Sequence, residues 1–260
     1  MTDVISTRRE GAILEVTLDR PKANAIDVKT SQLMGEVFKS FRDNPDLRVA
    51  IIRTAGDKFF CAGMDLKARA SSDIIDDDWG IGGWGGLQEL RDLNKPVIAC
   101  VNGITVGGGF ELALCCDLIY ASEHSSFALP ELRAGTLADA ATIRLPKRIP
   151  YHIAMGLLLT GRWMDAAEAH RWGVVNEVLP KEKLEERVWE IARLLANGPP
   201  LVLAAIKETV RVAETLSFQD AMNRVAGRQL ATIDALYGSE DRLEGARAFA
   251  EKRDPVWKGK

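Results

Sequence analysis

Two short stretches carry the residue types from which acid–base chemistry could be built. In the first, Pro96 to Asp117, the apolar Val97, Ile98 and Val101 are ended by Asn102-Gly103. Gly107, Gly108 and Gly109 then lead into Glu111, Leu112, Ala113, Leu114 and Cys116. The pattern reads as strand, glycine turn and buried helix. Adjacent glycines let the backbone approach a ligand and aim N–H groups at it, with the positive end of the helix behind them. If those groups serve an oxygen that becomes negative during reaction, the stretch is half of an oxyanion hole. Glu111 falls in the first helical turn, where a carboxylate is either a helix-end charge or a reactive group facing a cavity. The stretch alone leaves both readings open. In the second, Ser126-Phe-Ala-Leu-Pro130-Glu131 reads as a strand-to-loop exit that delivers Glu131 just beyond Pro130.

A nucleotide reading of the glycines fails on spacing. There is no Gly-x-Gly-x-x-Gly with an acidic residue about 20 positions further on, and no Gly-Lys-Ser/Thr of a phosphate loop. Cys61, Cys100, Cys115 and Cys116 form no Cys-x-x-Cys pair and read as buried thiols, and His124, His152 and His170 lack metal-ligand spacing, so no metal is expected.

The elements that must hold these residues alternate between strand and helix. Residues 11–19 alternate apolar and polar as a half-buried strand, ended by Arg20-Pro21. Asp27 is a plausible N-cap for a helix carrying Leu33, Met34, Val37, Phe38 and Phe41, and Asn44-Pro45 stops it. Val49 to Ile52 reads as a fully buried strand, and Phe59 to Leu66 leaves it through a second glycine corner at Gly63. Residues 71–86, with Asp76, Asp77, Asp78, Trp79 and Trp84, read as a mobile loop, either a solvent-exposed connector or a lid over a ligand, followed by a helix from about Leu87. Leu118–Ala121 is a short strand. Beyond Glu131, helices are expected at 153–159, 166–172, 184–195, 202–214, 218–235 and 241–252. Strand–helix alternation predicts parallel strands with right-handed crossovers, an α/β fold, and the helical remainder needs a surface to pack on. A partner subunit is the economical answer.

Composition narrows the partners. The 260 residues are 47% hydrophobic and 27% charged with a formal net charge of −3, ordinary for a globular chain and offering no basic field for nucleic acid. No stretch approaches the roughly 20 apolar residues of a membrane span and the N-terminus lacks an apolar signal core. The expectation is a soluble, cytoplasmic protein with no membrane or nucleic-acid partner.

The chain resembles the crotonase superfamily, the enoyl-CoA hydratase/isomerase family, over essentially its whole length. The likeness rests on Arg20-Pro21-x-x-Asn24-Ala25, Cys61-Ala62-Gly63-Met64-Asp65-Leu66, Asn102-Gly103-x5-Gly109-x-Glu111, Phe127-Ala128-Leu129-Pro130-Glu131 and Glu251-Lys252-Arg253, in that order. Within the family, Leu18–Asp27, Gly107–Leu114 and Ala248–Gly259 look most like the members that dehydrate carnitinyl-CoA. The resemblance implies a spiral of ββα turns over residues 1–195, carrying an acyl-CoA site, and a helical trimerisation region over 196–260, as a homotrimer or a dimer of trimers. It implies that the backbone N–H groups of Met64 and Gly108 grip a thioester oxygen, and that Glu111 and Glu131 handle protons as water is added or removed across the 2,3 bond. Coenzyme A would enter as part of the substrate, with no separate cofactor. Its contacts carry over to Lys22, Ala23, Ala25, Ala62, Asp65, Leu66, Phe249 and Lys252, with Trp79, Trp84, Pro130, Asp139 and Thr142 as candidates for the acyl pocket.

One departure stands out. Family hydratases usually continue from the second glutamate into Gly-Ile-x-Pro-x-x-Gly-Gly, whereas this chain reads Gly135-Thr-Leu-Ala-Asp139-Ala-Ala-Thr142, one residue shorter. The floor beneath the reacting carbons is therefore expected to differ, with room for Glu131 to be displaced and for Asp139 or Thr142 to enter the pocket. Double-bond isomerisation through one glutamate, and acyl-CoA binding without catalysis, are the competing outcomes.

Overall fold

The computed structural model describes residues 4–66 and 78–260. Among the described residues ten strands form two sheets. The larger contains β1 (Ile5–Glu10), β2 (Ile13–Leu18), β3 (Val49–Thr54), β5 (Val97–Val101), β7 (Leu118–Ser122) and β10 (Glu177–Leu179), in that spatial order. The smaller orders β4 (Phe59–Cys61), β6 (Ile104–Val106), β8 (Ser126–Ala128) and β9 (Met164–Asp165). Pairing is parallel except for β1 with β2 and β8 with β9. The fold is thus α/β, and its repeating turn is visible: β3 then β4, β5 then β6, β7 then β8, each passing from the large sheet to the small one.

The corners of these turns stack. The Asn102 side chain donates to the Thr54 carbonyl at 3.3 Å and to the Gly56 carbonyl, and His124 Nε2 lies 2.9 Å from the Asn102 carbonyl. A short polar side chain at each corner thereby satisfies the backbone of the next, which keeps the small sheet in register with the large one.

The central strands are buried on both faces because both faces are covered. Ala50 and Ile52 of β3 point into the main core with Phe38, Phe41, Phe60 and Phe110, whereas Val49 and Ile51 meet Leu184, Val188, Trp189 and Ala192 of the Lys181–Ala196 helix. The Val28–Asp43 helix begins where expected: the Asp27 side chain accepts from the Thr30 N–H at 2.8 Å. All four cysteines are free, three of them buried and Cys115 half-buried.

Three expectations are corrected. No helix starts near Leu87: Trp84–Gly86 is a single 3-10 turn in which Gly85 (φ 65) and Gly86 (φ 75) are left-handed, Asp92 follows at φ 58, and Leu87, Leu90 and Leu93 drop singly into the core. Of the loop read at 71–86, residues 71–77, including Asp76 and Asp77, lie outside the described residues. The solvent-exposed connector is overturned for Trp84, which is only 8% exposed and part of the main core, and Trp79 packs partly against that core. Finally, the helix read at 218–235 is two, Phe218–Ala226 and Ala231–Gly238, parted where Gly227 and the left-handed Arg228 (φ 51) end the first. The polar strand β1, exposed at five of its six positions, had no apolar alternation by which to be read.

Among the described residues no helix is long and apolar enough to cross a membrane, and no group of His, Cys, Asp and Glu is placed to hold a metal ion.

Candidate active site

The two glycine corners meet. Gly63 has φ 83, and a Cβ there would lie 2.8 Å from the Val106 carbonyl oxygen and 3.0 Å from the Gly108 nitrogen. Gly109 faces the Cys61 carbonyl so closely that any side chain would collide with it. Only glycine permits this approach of backbone to backbone.

The local pairing decides which amides face outward. Ile26 and Met64 form an isolated parallel bridge in which the Ile26 N–H donates to the Gly63 carbonyl at 2.8 Å and the Asp65 N–H donates to the Ile26 carbonyl at 2.9 Å. In such a bridge the middle residue's own N–H points to the other side. The Met64 amide is therefore turned away from Ile26. Gly108 opens the Gly108–Cys115 helix, so its N–H is among those a helix leaves without an intrahelical acceptor, while Gly107 before it (φ 57) donates to the Ala128 carbonyl at 2.9 Å. Behind Gly108 stands the edge of the Trp84 indole, whose Cη2 is 2.5 Å from where a Cβ would be.

The carboxylates converge on the same corner. Glu131 opens the short Glu131–Ala134 helix, which ends at the left-handed Gly135, and its Oε1 lies 2.8 Å from the position a Gly107 Cβ would take. Glu131 Oε2 is buried and accepts no hydrogen bond from the described residues. Glu111, in the first turn of its helix, is 7% exposed, and its Oε1 accepts from the Ala141 N–H at 3.0 Å. Burial pushes both acids upward. Glu131 rises to about 7, chiefly through loss of solvent and further through the negative charges of Glu111 and Asp139. Glu111 is raised by burial and by Asp139, against the opposing pull of the Ala141 and Ala140 amides and of Arg144.

The departing segment accounts for that hold on Glu111. Asp139–Arg148 is a helix whose first turn presents the Ala141 amide to Glu111, so Glu131 remains against Gly107 and Glu111 gains a donor. Asp139 is exposed at the start of this helix and Thr142 is half-buried on it. Sequence reasoning missed Ala141, whose contribution is a backbone N–H, and Arg144, whose guanidinium donates to the Leu114 carbonyl at 2.9 Å. The signal for Arg144 was an arginine pair four apart, Arg144 and Arg148, on one helix face; both cap the end of the Glu111 helix.

The expected coenzyme A contacts split into two groups. Ala62 donates to the Ala23 carbonyl at 3.0 Å, and Arg20 ties the loop together by donating to the Ala25 carbonyl at 2.7 Å while pairing with Asp27 and Asp65, each at 2.8 Å. Ala23, Ala25, Ala62 and Asp65 are thus brought side by side, with exposed Lys22 and Leu66 at their edges. Phe249, 87% exposed, and Lys252 belong instead to the Glu244–Glu251 helix and its C-cap, whose tail is fastened by the Val256 N–H donating to Glu244 at 2.7 Å. Trp79 is held through its carbonyl, which accepts from the Ser31 hydroxyl at 3.3 Å, and Pro130 is the N-cap residue before Glu131. A surface hollow of about 370 Å³ lined by Ser239, Arg242 and Arg247 shares no residue with the glycine corners.

A family profile described as Enoyl-CoA hydratase/isomerase matches residues 8–260. The carnitinyl-CoA dehydratases of Salmonella arizonae and Citrobacter koseri are 53% and 51% identical to this chain, each alignment spanning 100% of both sequences. Among solved structures, the enoyl-CoA hydratase of Bacillus anthracis superposes with a TM-score of 0.91 at 32% identity, covering 99% of this chain and 100% of that one.

Proposed function

The chain belongs to the enoyl-CoA hydratase/isomerase family and is an acyl-CoA hydratase/dehydratase, and we propose that Met64, Gly108, Glu111 and Glu131 carry its chemistry. The thioester oxygen is received between the N–H groups of Met64 and Gly108. As a hydroxyl oxygen adds to C3, electrons from the 2,3 double bond move toward the thioester oxygen, and two fixed amides stabilise the charge there without reorganising. One glutamate takes a proton from water while the other, neutral, gives one to C2. Elimination runs the same transfers backward. Two acids raised by burial, Glu131 further by the charge of Glu111, suit this division, since one can remain protonated near neutral pH beside an ionised neighbour. No separate cofactor is called for by these steps.

The observation that supports the reading is the approach of Glu131 Oε1 to within 2.8 Å of where a Gly107 Cβ would stand, one residue from the amide proposed to receive the thioester oxygen. Glu111→Gln and Glu131→Gln test it. Each is expected to lower hydration of crotonyl-CoA by about 10²–10⁴-fold with the fold retained; turnover intact in either variant would remove that residue from the mechanism. Following product formation in H₂¹⁸O separates hydration from isomerisation, because only hydration incorporates the label.

The finer substrate reading is a thioester of carnitine, the acyl group for which the two curated relatives are named. We also infer assembly through the C-terminal helices. Ile206 and Val210 on the Pro200–Ala213 helix, Phe218 and Tyr237 are exposed by 46–81%, more apolar surface than a free-standing helical cap requires. Light scattering that finds a monomer at assay concentration would overturn this.

A further inference from the structure

Resting on the reading of Glu111 as a proton carrier, we propose that Arg144 is a positioning residue for it, fixing the far end of the Glu111 helix from the same element that grips the carboxylate. That element is the Asp139–Arg148 helix. Ala141, Arg144, Leu145 and Arg148 recur at the spacing of one helical face. Ala141 and Leu145 are fully buried and seat that face in the main core, which also holds Leu112 and Leu114 of the Glu111 helix. The face meets the Glu111 helix at both ends. Near its start the Ala141 N–H donates to Glu111 Oε1 at 3.0 Å, and at its finish the Arg144 and Arg148 guanidiniums donate to the Leu114 carbonyl at 2.9 and 2.6 Å.

The Glu111 helix has 8 residues, a rod of about 12 Å that carries Gly108 at its start. Release of the Leu114 end would therefore shift the Gly108 amide and the Glu111 carboxylate together. One cation suffices to cap a helix end, and Arg148 alone would supply it. Two guanidiniums on one carbonyl repel each other, so the second needs a further reason. Arg144 has one. It lies one turn nearer to Ala141 than Arg148 does, its other Nη stands 3.5 Å from the Gln88 carbonyl, and its charge acts on Glu111. Loss of solvent raises Glu111, the Ala141 and Ala140 amides draw it back, Asp139 on the same helix raises it and Arg144 lowers it. Glu131 on the Glu131–Ala134 helix and Cys115 on the Glu111 helix also sense its charge. Removing the Arg144 charge, with these groups left in place, raises Glu111 further.

The test follows hydration of crotonyl-CoA against pH in Arg144→Gln, Arg144→Lys, Arg148→Gln and Glu111→Gln. Arg144→Gln is expected to lower kcat by about tenfold to 10²-fold with little change in KM, and to move one limb of the kcat profile to higher pH. Arg144→Lys keeps the charge without the planar fork, so its limb should stay in place while kcat falls less. Arg148→Gln, which removes the other cap, should lower the melting temperature and leave the limb where it is. An Arg144→Gln profile that superposes on the wild type once scaled for folded protein, or an equal displacement in Arg148→Gln, would overturn the proposal and leave Arg144 a cap alone. If Arg144→Gln does not fold, Arg144→Lys decides: a lower kcat at unchanged KM supports the proposal, and wild-type values of both overturn it. Glu111→Gln separates the two levels of inference. Wild-type turnover there removes Glu111 from the mechanism, whereas a loss there beside unimpaired Arg144 variants removes only the positioning role.

Discussion

The carboxylate of Glu131 lies against the α-carbon of Gly107, its Oε1 2.8 Å from the point that a side-chain carbon there would occupy. The proposed proton carrier and the turn that leads into the Gly108 amide are therefore packed against each other. A side chain added at Gly107 would displace the end of the Glu131 carboxylate.

Gly107→Ala puts that relationship to the test. The new methyl would press on Glu131 and require an alanine at φ 57, where glycine alone is unstrained. Loss of one well-aimed oxyanion donor costs about 10²–10³-fold in kcat, and a decrease of at least that size is expected. Steady-state hydration rates, with circular dichroism to verify folding, give the answer.

Trp84 supports Gly108 from behind, and its removal should act at a distance from the substrate. Trp84→Ala is expected to destabilise the protein by about 3–5 kcal/mol, as for other buried aromatic truncations. Trp84→Phe should fold and still lower kcat more than it changes KM, because the Gly108 amide loses part of its backing. Denaturant melts and kinetics on the two variants check both statements.

Arg20 ties the loop of Ala23 and Ala25 to Asp65. Arg20→Ala removes a donor to the Ala25 carbonyl and two ion pairs, contacts worth roughly 1.5–3 kcal/mol when charged groups are involved. The expected consequence is a KM for acyl-CoA raised about tenfold or more with a smaller change in kcat. A pure kcat effect would count against a coenzyme A role for this loop.

The raised acid also leaves a mark on stability. Glu131 titrates near 7 in the folded chain against about 4.5 for an unfolded one, so between those values the folded state holds a proton that the unfolded state has released. Stability contributed by this group therefore falls as pH rises from 4.5 through 7, as a buried charge is forced to form. Glu131→Gln, inactive but uncharged, should melt a few degrees above the wild type at pH 8 and lose that advantage at pH 4.5. Equal differences in melting temperature at both pH values would contradict it.

Much of this was legible in the chain itself, for identifiable reasons. Asp27 announced a helix start because a capping carboxylate acts locally, and Val49 to Ile52 announced a strand covered on both faces because its run is unbroken by polar residues. The glycine corners could be read because close backbone approach demands glycine. What escaped depended on distant partners. Leu87, Leu90 and Leu93 have near-helical spacing, yet the left-handed Gly85, Gly86 and Asp92 send each leucine into the core separately. Trp84 read as exposed because glycines surround it in sequence, whereas in space the ring is covered by the Gly108 corner. The grip of Ala141 on Glu111 is a backbone contact across 30 residues, for which an alanine side chain gives no sign.

The central claim is that the Met64 and Gly108 amides polarise the substrate carbonyl, and isotope-edited infrared spectroscopy of a bound ¹³C=O thioester measures that directly. Two donors should lower the C=O stretching frequency relative to the free thioester in water, and Gly107→Ala should reverse part of the shift. A carbonyl that absorbs at its solution frequency in the wild-type complex would contradict the account.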